Sequence, residues 1–145
     1  MATLLQQWLP DISVSSAGFV VPGRAVPEHG RTAAAKRGLD LSTHESRLVT
    51  YEMIADAGLI IVMDADQARQ IERASRRASG RVIVAGDLDP LNRDGRTIHD
   101  PWQQPLEAFE SAYARLERCA AVLANELATH VAPAQQPHRA VASNG

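Results

Sequence analysis

Gly58-Leu59-Ile60-Ile61-Val62-Met63-Asp64 is the stretch that decides the fold. Five apolar residues run unbroken between a glycine and an acid, a length that suits a strand better than a helix. A strand with one wet face alternates apolar and polar residues. One that is apolar at every position needs cover on both faces, the condition met in a parallel sheet flanked by helices. Arg81-Val82-Ile83-Val84-Ala85 has the same character. Between the two, Asp64 or Asp66 is placed to cap a basic helix running to about Arg77. The whole therefore reads strand, helix, strand. Ile12-Ser13-Val14-Ser15 alternates and is expected to be a further short strand, ending at Ala17-Gly18.

The elements around this unit are helical. Leu4, Leu5, Trp8 and Leu9 recur at helical spacing, and Pro10 closes that run. Residues 19–27, with two prolines and a glycine, read as loop. Residues 31–37 are Ala-rich and predict a short helix, weakened at its start by Gly30 and stopped by Gly38 at C′. Thr50 is placed to cap a helix through Ala55, with Tyr51, Ile54 and Ala55 on one face. Residues 86–99 read as a solvated acidic loop. The last helix is the clearest: Pro105 suits its first turn, and Glu107 and Glu110 suit the positive end of its dipole. Its core stripe is Phe109, Tyr113, Leu116, Ala120, Leu123 and Leu127. The expected fold class is α/β, an open parallel sheet with helices on both faces. The expected organisation is one domain over residues 1–128 and a disordered Ala/Pro/Gln/Ser tail over 129–145. Ligands of such sheets bind at the carboxyl ends of the strands, which points to the loops after Ser15, Met63 and Ala85.

Composition narrows the function. The 145 residues carry 15 Lys+Arg and 17 Asp+Glu, a net charge of −2, which argues against a nucleic-acid partner. The longest apolar run, residues 57–63, is too short to cross a bilayer, and the chain opens without the basic region of a signal peptide. No membrane partner and a cytoplasmic location are the expectations. The single cysteine, Cys119, excludes an internal disulfide and falls beside the stripe of the last helix, where a small core residue belongs. The five histidines show no metal-ligand spacing. Asp87, Asp89, Asn92 and Asp94 fail the calcium-loop pattern because Leu91 stands where an acid or amide is required. Arg69, Arg73, Arg76, Arg77 and Arg81 read as a solvated basic face.

Several segments in order resemble the low-molecular-weight protein tyrosine phosphatase family. They are residues 12–18 (ISVSSAG), 38–47 (GLDLSTHESR), 57–63 (AGLIIVM) and 98–102 (IHDPW), followed by Phe109-Glu110 in the last helix. The resemblance covers residues 1 to about 128. It implies a four-stranded parallel sheet and hydrolysis of phosphate esters through a phosphocysteine, with no metal or organic cofactor. The substrate class it implies is a phosphotyrosine protein or another aryl phosphate. Asp100 matches the family's general acid, Pro101 the residue that holds its loop, and Trp102 the aromatic that walls the phosphotyrosine ring. His44 and Ser16 fall at supporting positions near the phosphate loop; read from the residues alone, they are a turn histidine and a strand terminator.

That chemistry also needs a Cys-x5-Arg loop. Its backbone N–H groups and arginine cradle the phosphoryl oxygens, and its thiolate attacks phosphorus. Residues 1–145 contain no Cys-x5-Arg; five residues after Cys119 stands Ala124. Met1-Ala2-Thr3-Leu4-Leu5 resembles the helix that follows the loop in the family. The expectation is therefore that the first central strand and the loop are missing from the chain as given, most simply through a start placed at an internal methionine. The chain itself is then expected to be inactive. Two other readings stand beside this one. One is a non-catalytic binding or regulatory relative that retains Asp100 and Trp102. The other is a thiol-dependent arsenate reductase of the same fold, which would need further cysteines between Ser79 and Asp94, where none occurs.

Overall fold

The computed structural model describes residues 1–74 and 81–130. The two continuous apolar runs form β1 (Leu59–Val62) and β2 (Arg81–Val84). They pair in parallel, with Leu59 opposite Arg81 and Val62 opposite Val84. Side chains alternate across a strand, so β1 serves two cores. Leu59 and Ile61 pack on a cluster built from Leu4, Leu5, Ala34, Leu39, Ala120 and Leu123. Ile60 and Val62 join Ile54, Ile71 and Val84 on the opposite face. Full burial of a Leu, Ile or Val side chain such as Leu4, Ile54 or Val62 contributes about 1.5–3 kcal/mol, and the alanines and partly buried residues contribute less. Cover on both faces is what the unbroken run requires.

The crossover between the strands is α4 (Ala65–Ala74). Asp64 caps it by accepting from the Gln67 N–H at 2.8 Å, and the Gln67 side chain reaches back to the Met63 N–H at 2.9 Å. This reciprocal arrangement satisfies two donors that the helix start would leave orphaned. On its outer face Arg69 pairs with Asp66. Arg76 and Arg77, expected on the same basic face, lie outside the described residues.

The stretch at residues 12–15 is not a strand. Among the described residues the sheet has two strands, and three backbone groups of 12–16 are taken by side chains instead. Gln6, from α1 (Ala2–Trp8), donates to the Ile12 carbonyl and accepts from the Val14 N–H, while Arg47 donates to the Ser16 carbonyl. The Ile12 N–H donates to the Leu9 carbonyl at 3.1 Å, so none of these partners is a neighbouring strand. In α1, Leu4 and Leu5 are buried as expected, but Trp8 is 41% exposed.

Helix α2 (Glu28–Ala35) starts three residues before the expected Arg31 and includes Gly30. Gly30 lets α2 approach α5 (Leu106–His130): a Cβ there would lie 2.8 Å from Val26 Cγ1 and 3.2 Å from Phe109 Cε1. The expected weak point is thus a packing contact. Gly38 ends the segment as expected, with φ 71° and with bonds from Gly38 N–H to the Ala35 carbonyl and Leu39 N–H to the Ala34 carbonyl. Thr50 caps α3 (Tyr51–Asp56) through the Met53 N–H. The buried face of α3 carries Ile54, whereas Tyr51 is 73% exposed, because a six-residue helix buries one turn only.

Helix α5 buries Phe109, Ala120 and Leu123 and also Arg115 and Cys119. Cys119 is fully buried near Ala85 and Ile98, and that burial pushes its thiol pKa up. Thr129 and His130, expected in the tail, close the helix by bonding the Glu126 carbonyl. The rest of the expected tail, residues 131–145, lies outside the described residues. Among the described residues no helix is long and apolar enough to cross a membrane.

The segment after β2 departs most from expectation. It opens as a 3-10 turn (Ala85–Leu88), and one of its acids, Asp89, is not solvated, whereas Asp87 and Asp94 are exposed as expected. The Asp89 side chain is completely covered and accepts from Arg115 Nε at 2.9 Å, Arg118 Nε at 2.9 Å and Arg118 Nη2 at 3.0 Å. Arg115 also donates to the carbonyls of Gly95 and Thr97. Asp87 holds Arg96 through two bonds of 2.7 Å. The Arg118 hydrogen bond, against the opposing effect of burial, brings the Asp89 carboxyl from 3.8 to about 2, with the Leu91 N–H and Arg115 adding to it. Gly86 permits the tight return of the loop: a Cβ there would meet the Arg96 carbonyl oxygen at 2.0 Å. Arginines on α5 therefore fold this acidic loop onto the helix.

Candidate active site

The folded loop delivers residues 98–104 to the carboxyl end of β1. Ile98 N–H donates to the Met63 carbonyl at 2.9 Å, one residue beyond the strand, and the Ile98 side chain is buried. Two residues later Asp100 is exposed, and its Oδ1 accepts from the Trp102 N–H at 3.0 Å. An aspartate bonding the backbone two residues on is an Asx turn, which Pro101 stiffens by fixing its own φ. Gln104 N–H then returns to the Pro101 carbonyl at 2.9 Å, and Gln103 takes the left-handed conformation, φ 62°. The carboxyl and the indole are thus held on one short turn.

The surroundings of this turn are aromatic and basic. Trp102 is 38% exposed, with the Arg24 guanidinium 4.4 Å from its ring centroid. His29 of α2 bonds the Gln104 carbonyl through Nδ1 and stands edge-on to Phe109. Tyr113, half-buried on α5, has its hydroxyl pKa pushed up by burial first and by the negative charge of Asp100 second.

Ser16 and His44 fall elsewhere. They share an open groove of about 400 Å³ with Ala2, Gln6, Val14, Glu45 and Arg47, and the 100–102 turn does not line it. The segment 44–48 connects the two places. It pairs with residues 18–25 through bridges Gly18 to Leu48 and Ala25 to Glu45. Along an extended chain alternate residues face opposite ways. Glu45 and Arg47 line the groove, while Ser46 between them bonds Arg24 beside Trp102. Arg24 and Ser46 bond each other beside Trp102, and Arg115 bonds the loop that leads to the turn; motif spacing does not mark any of these contacts. Only Arg115 left a trace, as a charge four residues before Cys119 on a helix face that the sequence otherwise fills with apolar residues. Among the described residues no cluster of His, Cys, Asp and Glu could hold a metal ion.

A parallel strand–helix–strand unit covered on both faces, with an acid and an aromatic on a loop at a strand's carboxyl end, defines an α/β protein of the ligand-binding open-sheet class. A model described as low molecular weight phosphotyrosine protein phosphatase matches residues 1–133, and the chain belongs to that family. The Escherichia coli K12 low molecular weight protein-tyrosine-phosphatase Etp is 31% identical over 127 residues, covering 86% of this chain and 82% of that protein. A Ralstonia nicotianae protein named probable low molecular weight protein-tyrosine-phosphatase EpsP is 32% identical, covering 79% of this chain and 77% of its own. Among solved structures, the tyrosine phosphatase Wzb of Escherichia coli K30 with sulphate has a TM-score of 0.77 at 29% identity, covering 87% of this chain and 86% of that one. The YwlE arginine phosphatase of Geobacillus stearothermophilus has a TM-score of 0.78 at 26% identity, covering 90% and 84%.

Proposed function

We propose that this chain supplies the proton-donating and ring-binding side of an aryl-phosphate hydrolase, and that residues 1–145 alone turn over no phosphate ester. The observation that carries the reading is the Asx turn that holds the Asp100 carboxyl beside the half-exposed Trp102 indole. Asp100 donates a proton to the departing phenolate oxygen and later takes one from the water that hydrolyses a phosphocysteine. Trp102 offers a face on which a phosphotyrosine ring stacks. Pro101 keeps the turn rigid, and Ser16 and His44 support the phosphate-binding side from the neighbouring groove.

Turnover requires a thiolate in line with phosphorus and donors for its oxygens. The sequence of residues 1–145 has no Cys-x5-Arg, and its one thiol is fully buried with a raised pKa. The absence of further cysteines also disfavours an arsenate reductase, which must pass on a disulfide. The purified 145-residue protein is therefore expected to hydrolyse p-nitrophenyl phosphate at the rate of buffer, and Cys119→Ser is expected to leave that rate unchanged. Turnover that disappears in Cys119→Ser would assign the attack to Cys119 and overturn the proposal.

A further inference from the structure

Arg24 lies in a stretch whose sequence reads as plain connector, yet it is held from several sides. Its N–H donates to Ser46 Oγ at 3.0 Å, and its carbonyl accepts from the Ser46 N–H at 2.9 Å. The Ser46 hydroxyl donates onward to the Val21 carbonyl at 2.8 Å, and the Gly23 N–H donates to the Ser46 carbonyl at 2.7 Å. One residue thus ties down the whole 21–24 turn. From that turn the guanidinium stacks on Trp102, 4.4 Å from the ring centroid.

Among the described residues the charge on this guanidinium has no counter-ion. Arg96, Arg115 and Arg118 are each bonded to a carboxylate, but among the described residues Arg24 has none within ion-pair distance. An arginine held over a ring face by its charge still has N–H donors to offer, and their fork matches a carboxylate. The arrangement therefore places a cation with no carboxylate partner among the described residues at the edge of the surface proposed to bind the substrate ring.

We propose that Arg24 is a specificity-determining residue, selecting phosphotyrosine segments that carry an acidic side chain beside the phosphorylated residue. This rests on the assignment of Trp102 as the ring-binding wall. An aryl ring stacked on Trp102 brings its flanking side chains to the rim where Arg24 stands. A carboxylate there gains an exposed ion pair, an effect of about threefold to fivefold in affinity.

The test is an NMR titration of the 145-residue protein, reading the Trp102 indole N–H, assigned by comparison with Trp102→Phe. Three peptides are added: phosphotyrosine flanked by Glu, phosphotyrosine flanked by Gln, and the Glu peptide without phosphate. The Glu-flanked phosphopeptide is expected to bind about threefold to fivefold tighter than the Gln-flanked one at low salt. The gap should close near 1 M salt, where charges are screened within about 3 Å. Arg24→Gln should abolish the gap and Arg24→Lys should keep it, with both variants retaining the parent's dispersed spectrum. A gap that survives in Arg24→Gln overturns the proposal. Equal weakening of both phosphopeptides in that variant also overturns it, because Arg24 would then hold the phosphoryl group. If phosphopeptides move Trp102 with no preference for Glu, the proposal falls and the ring-binding wall stands. If neither phosphopeptide moves Trp102, both fall.

Discussion

Replacing Asp89 with alanine is expected to remove about 3–5 kcal/mol of stability, read as a lower urea midpoint with little change in slope. Asp89 is the shared acceptor of Arg115 and Arg118, and its own side chain is wholly covered. Without it the Arg115 guanidinium, whose side chain is 8% exposed, keeps only the carbonyls of Gly95 and Thr97. The cost of stranding a buried charge exceeds what the pair contributes when intact. Against a typical total of about 5–15 kcal/mol the loss is large. The same carboxylate makes stability depend on acid. Its pKa is about 2 in the folded protein against an ordinary 3.8. A depressed folded pKa gives stabilisation that is full above the unfolded value and is lost as pH falls through the folded one. Thermal melts should therefore show the loss between about pH 4 and pH 2. Asp89→Asn, which has nothing to titrate there, should lose less over the same interval. An identical acid loss in Asp89→Asn would remove Asp89 from this role.

The second large effect concerns Asp100. In a chain given a relative's strand and Cys-x5-Arg loop ahead of Met1, Asp100→Ala is expected to lower kcat by about 10²–10⁴. KM should change little, because the proton is transferred only in the transition state. The loss should also depend on the leaving group. A phenolate such as that of tyrosine, with a conjugate-acid pKa near 10, needs the proton, whereas the less basic p-nitrophenolate needs it less. Steady-state rates with phenyl phosphate and p-nitrophenyl phosphate measure this. An equal fall in kcat/KM for both substrates, which reports expulsion of the phenolate and not hydrolysis of the phosphocysteine they share, would make Asp100 a structural residue of its Asx turn.

How much of this could be read from sequence follows from where each constraint lies. The runs at 59–63 and 81–85 announce their own burial, so the parallel pair and the crossover helix between them were legible. Thr50, Asp64 and Gly38 mark helix ends by local chemistry that a few residues contain. The segment at 12–15 has a strand's alternation, but a strand is made by its neighbour, and Gln6 and Arg47 side chains occupy its backbone instead. Asp89 looks solvated in a Gly/Pro loop because its partners are remote in sequence; Arg115 is 26 residues from it. Gly30 looked like a flaw in a helix until Phe109, far along the chain, came to lie against it. In the candidate site, Asp100, Pro101 and Trp102 form a contiguous motif, so their sharing one turn is legible in the sequence. Ser16 and His44 were each marked singly, and their shared groove emerges only on folding. Arg24 carries no local signal, since stacking on Trp102 is a contact between two loops.

The proposed function gives this chain the proton-donating and ring-binding half of a phosphatase site, and residues 1–145 contain no Cys-x5-Arg for the other half. The most direct measurement is kcat/KM for p-nitrophenyl phosphate, compared between the 145-residue protein and the same protein with a relative's strand and Cys-x5-Arg loop joined ahead of Met1. The account predicts no turnover above buffer in the first and turnover in the second, lost when the introduced cysteine becomes serine. Turnover by the 145-residue protein itself, or silence in a joined protein that folds cooperatively, would contradict it.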